Sequence, residues 1–168
     1  LVVSPPPKIL GTTGAGAESS LLPLFNTASL VGFGAVIAIL PGFEVLRSAI
    51  DGLSGGNVVI SAALSSGLLS GITGSASGGM SIALDVLGPT LVAQAVSQNV
   101  DPALLHRVIA VATGGLDTLP HNGAVITLLG ICGMTHRQAY GDIFVVAVLV
   151  PLVACAAIVA LGISFGSF

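Results

Sequence analysis

Residues 143–163, IFVVAVLVPLVACAAIVALGI, run for 21 positions without a charge. About 20 apolar residues carry a helix across the hydrocarbon core of a bilayer, so this stretch constrains the chain more than any other. With lipid as the solvent, every backbone polar group must find its partner inside the protein, and a long apolar run of this kind does so as a helix. Pro151 in its middle removes one helical donor and predicts a kink that neighbouring helices must offset. The rest of the chain agrees with that setting. Of 168 residues, 7% are charged and 54% are hydrophobic, against about 25% charged in a soluble domain. So few charges cannot cover a surface that faces water on all sides.

Several functions fall away on the same grounds. The net charge of −3 comes with no run of Lys and Arg, so nucleic acid is not a partner. The glycine-rich stretch GTTGAGAESS lacks the Gly-Lys-Ser/Thr ending of a phosphate loop. HExxH, GxSxG and paired Cys/His clusters are absent, so the chain reads as no enzyme, with no catalytic residues and no metal site. Cys132 and Cys155 read as small buried hydrophobes. The chain has no initiator Met and no polar close, and it reads as a piece of a longer protein.

Periodicity and breakers divide the chain. Residues 1–20, with Pro5, Pro6, Pro7 and the glycine-rich stretch, read as loop, and residues 21–43 as a span ending at Pro41 and Gly42. Asn26, Thr27 and Ser29 need partners within it. Residues 44–56 predict an interfacial helix with Glu44 and Arg47 on one face and Val45, Leu46, Ile50 and Leu53 on the other. Residues 57–96 are roughly twice one crossing and are interrupted by TGSASGG, which predicts a re-entrant hairpin of two half-length arms, with Asp85 in the second. Over 101–134, Asp101 and Pro102 make a helix start, Gly114 and Gly115 a stop, and Asn122 a restart. That is the pattern of a discontinuous transmembrane helix. The expected fold is an all-α, polytopic membrane protein with a hairpin, a broken helix and a last span at 143–163. One positive charge per connection leaves its orientation open.

Chemistry belongs where helices are interrupted. Unwound backbone at membrane depth is tolerated where it is buried in protein or lines a water-filled cavity, and half-helix N-termini attract carboxylates while unwound carbonyls hold cations. At the tip, Gly74, Gly78 and Gly79 allow close backbone approach, and Ser75 and Ser77 add hydroxyls, which suits a small hydroxylated anion. Close helix packing is the other reading, since Gly67 and Gly71, and Gly74 and Gly78, have GxxxG spacing. In the break GLDTLPHNGA, Asp117 costs about 2.5–3.5 kcal/mol at membrane depth. It can carry a proton or anchor a cation, and His121 can relay a proton or donate to a carboxylate. Asn122 caps the second half-helix and can touch substrate. A local Asp–His pair that satisfies the broken backbone is the alternative. His106 and His136, each beside an Arg, read as solvated interfacial groups.

SSLLPLFNTASLVGFGAVI, GITGSASGGMSIAL and GLDTLPHNGAVITLLGICGMTHRQAYGDIF resemble the C-terminal part of transporters of the gluconate-permease (GntP) family, within the ion-transporter superfamily. The resemblance covers nearly the whole chain from about Gly14. It implies a secondary transporter, a symporter of small hydroxy-carboxylates such as gluconate with protons, sodium being the other coupling ion. LDTLPHNGAVITL and THRQAYGDIF are similar to a branch associated with hydroxybutyrate and other short acids. The family fold implies two inverted repeats, with this chain as the second and an N-terminal half missing. The tip 74–79 and the break 116–121 would then meet around substrate. Gly74, Ser75, Ser77, Gly78, Gly79, Thr118 and Asn122 are the expected substrate contacts, and Asp117 and His121 the proton-coupling pair. The implied setting is the inner (plasma) membrane, multi-pass, with a lipid bilayer and a small organic anion as partners and a homo-oligomer allowed. A membrane-embedded structural or assembly subunit is the alternative.

Overall fold

The computed structural model describes residues 9–166, and among them every regular element is helical. In chain order these are α1 (Ile9–Ala38), α2 (Pro41–Ser54), α3 (Val58–Thr73), α4 (Ala76–Ser97), α5 (Pro102–Leu116), α6 (Gly123–Cys132), α7 (His136–Ile143), a π-helical segment (Phe144–Leu149) and α8 (Val150–Phe165). The expectations for residues 1–8 and for the side chains of Asn26 and Thr27 lie outside the described residues.

Three boundaries differ from the sequence reading. Residues 9–20, expected as loop, are helical and continue into the apolar part of α1. Each glycine there costs about 1 kcal/mol against alanine, but propagation adds a hydrogen bond for every residue fixed. The Ser19 and Ser20 hydroxyls also turn back onto the carbonyls of Ala15, Gly16 and Ala17. Pro41 does not close a span. It sits in the first turn of α2, where its missing N–H costs nothing. Helix α2 turns Phe43, Ile50 and Ser54 inward and leaves Val45 and Leu53, on the apolar face expected to lie along the membrane, exposed.

Helices α3 and α4 form an antiparallel hairpin, turned at Gly74 and tied by hydrogen bonds at its open end. Asn57 caps α3 by accepting from the N–H groups of Val59 and Ile60 at 2.9 and 3.2 Å. At the open end, Gln98 donates to Gly56 O at 2.7 Å and accepts from Val58 N at 3.1 Å. At about 1.5 Å per residue, the 16 residues of α3 and 22 of α4 give arms of about 24 and 33 Å. Helix α4 is therefore long enough to cross a bilayer, longer than a half-length arm.

Helix α3 is the centre of the molecule. Alanine-sized gaps decide its neighbours: a Cβ on Gly67 would meet Ala112 O at 3.3 Å, and one on Gly71 would meet Leu116 Cβ at 3.0 Å. Both contacts rise together along the two chains, so α3 and α5 run parallel and end at the same level. Helix α8 runs antiparallel to α5, with Gly115 against Leu152 and Gly162 against Leu104. The core between α3, α4 and α5 holds Val58, Val59, Leu69, Ile82, Leu87, Leu104 and Val108. By contrast α6 and the last helix expose Ile126, Leu128, Ile131, Val146, Val153 and Phe165. An apolar face of that extent belongs against lipid or protein.

Among the described residues, Ala76–Ser97 and the continuous stretch His136–Phe165 are long and apolar enough to cross a membrane. The chain is an all-α membrane protein.

Candidate functional site

The tip of the hairpin is a left-handed glycine between two helices. Gly74 has φ 62° and closes α3. Ser75, in extended conformation, then caps α4 by accepting from Gly78 N at 3.1 Å. Thr73 Oγ1 reaches Ser75 O at 3.2 Å as well as its own helix. The arms touch just beyond, where a Cβ on Gly79 would overlap the backbone N and Cα of Ser70. Gly78 and Gly79 are buried and Ser77 is exposed, with Ser75 and Ser77 hydroxyl oxygens 3.4 Å apart.

The tip lies directly on the break. A Cβ on Gly74 would come within 3.0 Å of the His121 ring and 3.4 Å of Asn122 Cα. Asn122 joins the two pieces: its Nδ2 donates to Gly74 O at 2.9 Å and to Asp117 O at 2.7 Å. Its Oδ1 accepts from Val125 N at 2.9 Å and so caps α6. Helix α5 does not stop at Gly114 and Gly115 but continues to Leu116. Gly115 is needed there to admit Leu152.

The six carbonyls from Gly115 to Pro120 each have a donor within the protein. Gly115 O takes the Thr118 hydroxyl at 3.2 Å and Leu116 O takes Leu119 N at 3.4 Å. Asp117 O takes Asn122, Thr118 O takes the Tyr140 hydroxyl at 3.1 Å, and Leu119 O takes Asn122 N at 2.8 Å. Pro120 O lies 2.9 Å from His136 Nε2. These carbonyls each take one donor from the fold and keep a second lone pair. The same accounting bears on Thr118 and Asn122, whose polar atoms are committed to backbone partners. It also gives His136 a definite bond where a solvated role was expected.

What stays uncommitted is acidic. Asp117 is half-buried at the break. Its Oδ1 is buried without a hydrogen-bond partner, so no local pair with His121 forms through that atom. His121 is exposed. On the side away from the hairpin, Asp117, Thr118, Asn122, Val125, Asp142 and Val146 line an open cavity of about 520 Å³. Asp85 and His106 are exposed, apart from this site.

Tyr140 is the participant that sequence reasoning missed. It is the single Tyr of the chain, in a polar segment following the break, and its partner becomes visible only once the last helix folds back.

A hairpin tip seated on a helix break, within apolar helices, defines a membrane protein built around two interruptions. No family model matches the chain, and no solved structure matches it. The uncharacterized transporter YxjC of Bacillus subtilis (strain 168) is 47% identical over 134 residues, which are 80% of this chain and 28% of that protein. The chain thus spans under a third of the length of the curated relative it matches, and the similarity supports a place in a transporter family.

Proposed function

We propose that the chain is part of a proton-coupled secondary transporter for a short hydroxy-carboxylate, gluconate or a smaller acid, in the plasma membrane. The observation that carries this reading is the meeting of tip and break, with Asp117 Oδ1 buried at the break without a hydrogen-bond partner. A helix N-terminus favours an anion, and that of α4 opens at the tip, which lies on the break. Protonation of Asp117 would remove a negative charge from the break and so favour a substrate carboxylate there, and proton and anion would be taken up together. Ser75 and Ser77 would meet substrate hydroxyls, with His121 as donor or relay. Gly74, Gly78 and Gly79 would shape the tip, and Thr118 and Asn122 would hold the break. The carbonyls already bonded within the fold favour a proton over sodium as the coupling ion. The rest of the full-length protein would complete the site, alone or in a homo-oligomer.

Full-length protein in proteoliposomes should concentrate a short hydroxy acid when an inward proton gradient is imposed, and a protonophore should abolish this. Asp117→Asn should lose the gradient-driven component. Wild-type uptake by that variant sinks the coupling role, and sodium-dependent, proton-independent uptake sinks the choice of ion. A structural or assembly subunit is the second reading, favoured by the same bonding of the break within the fold. It predicts no uptake of any acid in a competition panel.

A further inference from the structure

Pro151 has no N–H, so it serves neither Ala147 O, four residues earlier, nor Val146 O, five residues earlier in the π register that bonds Val150 N–H to Val145 O. The Thr118 hydroxyl donates to Ala147 O from outside the helix, at 3.0 Å. Seven positions before Ala147, Tyr140 donates its hydroxyl to Thr118 O at 3.1 Å. One residue of the break is thus held twice by the last helix, through its side chain and through its backbone. Leu152 packs onto Gly115 just beside them.

We propose that Thr118, Tyr140 and Pro151 form a strap that fixes the break to the last helix, with Thr118 and Tyr140 as positioning residues. The π-helical segment Phe144–Leu149 lies between the two attachment points. A π turn carries an extra residue per turn and is common at functional sites. Rewinding it as α-helix would turn Tyr140 relative to Ala147, and both could not then hold Thr118. The break and the last helix move as one body, while the hairpin tip is tied to them through Asn122. The strap stands whether or not the protein transports. Its consequence for turnover, motion between the tip and the strapped body, rests on the transport reading.

The test uses full-length protein in detergent and the apparent Tm. Thr118→Val should lower it by about 3 °C or more, because it takes the Thr118 donor from a part-buried carbonyl, and Thr118→Ser should stay close to wild type. Pro151→Ala restores an N–H to the helix, so alone it should move the Tm less than Thr118→Val. Combined with Thr118→Val it should recover most of the loss. Tyr140→Phe should lower the Tm in the same direction. A Thr118→Val protein within about 1 °C of wild type, or a double variant no better than Thr118→Val, overturns the proposal. If Thr118→Val does not fold, recovery of monodisperse protein by adding Pro151→Ala supports the strap, and no recovery overturns it. Rescue in Tm from a protein that takes up no acid leaves the strap standing and removes the transport reading.

Discussion

Asn122 shows how a single side chain joins distant pieces of chain. Its oxygen caps α6, and its amide nitrogen serves Gly74 O and Asp117 O. Removing a cap costs about 1 kcal/mol, and each buried carbonyl left without a donor costs about 1–3 kcal/mol more. Asn122→Ala should therefore destabilise the protein by about 3 kcal/mol or more. Asn122→Ser keeps a capping oxygen and should lose less than Asn122→Asp, which caps α6 but turns an acceptor toward two carbonyls. Thermal unfolding of purified full-length variants gives the order, and an aspartate variant as stable as wild type would contradict it. The cap was legible in the sequence because an Asn before an apolar run acts through residues beside it. The bond to Gly74, 48 residues away, was not, because nothing local encodes a partner on another element. Thr118 was singled out as a substrate contact, and its backbone partners Gly115 O and Ala147 O were not foreseen. A threonine beside an Asp reads as a ligand, and only the last helix folding back shows which oxygen it serves.

At the scale of elements, glycines carry information that composition alone hides. Gly79 and Gly88 both lie in α4, yet a Cβ on Gly79 would overlap the Ser70 backbone while Gly88 has nothing within 4 Å. Gly79→Ala forces the hairpin arms apart and should cost at least about 1–3 kcal/mol. Gly52→Ala, in α2 with nothing within 4 Å, replaces a poor helix former in open space and should gain about 0.5–1 kcal/mol. Equal effects of the two in thermal unfolding would mean that the arms do not meet at Gly79. The GxxxG spacing announced close packing, and it is present, but against α5 for Gly67 and Gly71 and against the break for Gly74. Spacing marks a flat helix face without naming its partner. Breaker residues misled in the opposite direction. Gly114, Gly115 and the glycines of residues 9–20 are helical, because propensity is a weak prior once a segment is packed or continuous with a stable helix.

The whole molecule sets the depth of the site. At about 1.5 Å per residue, the continuous last helix, His136–Phe165 with 30 residues, is about 45 Å long, matching a bilayer with its headgroup regions. Thr118 meets it at Ala147, 11 residues from one end and 18 from the other. The break then lies about 16 Å below the His136 end and about 27 Å from the Phe165 end. The His136 end carries Thr135, His136, Arg137 and Gln138, all exposed, and the cavity reaching Asp117 is lined by Asp142 near that end. Cys132 is exposed just before this polar segment, whereas Cys155 is buried beyond Ala147. In a cysteine-free full-length background, Cys132 restored alone should react with a membrane-impermeant maleimide from one side. Asp142→Cys should react from that same side, and Cys155 restored alone should react from neither. Labelling of Cys132 and of the position 142 cysteine from opposite sides would separate the cavity mouth from the polar end of the helix. The path to Asp117 would then have to open elsewhere.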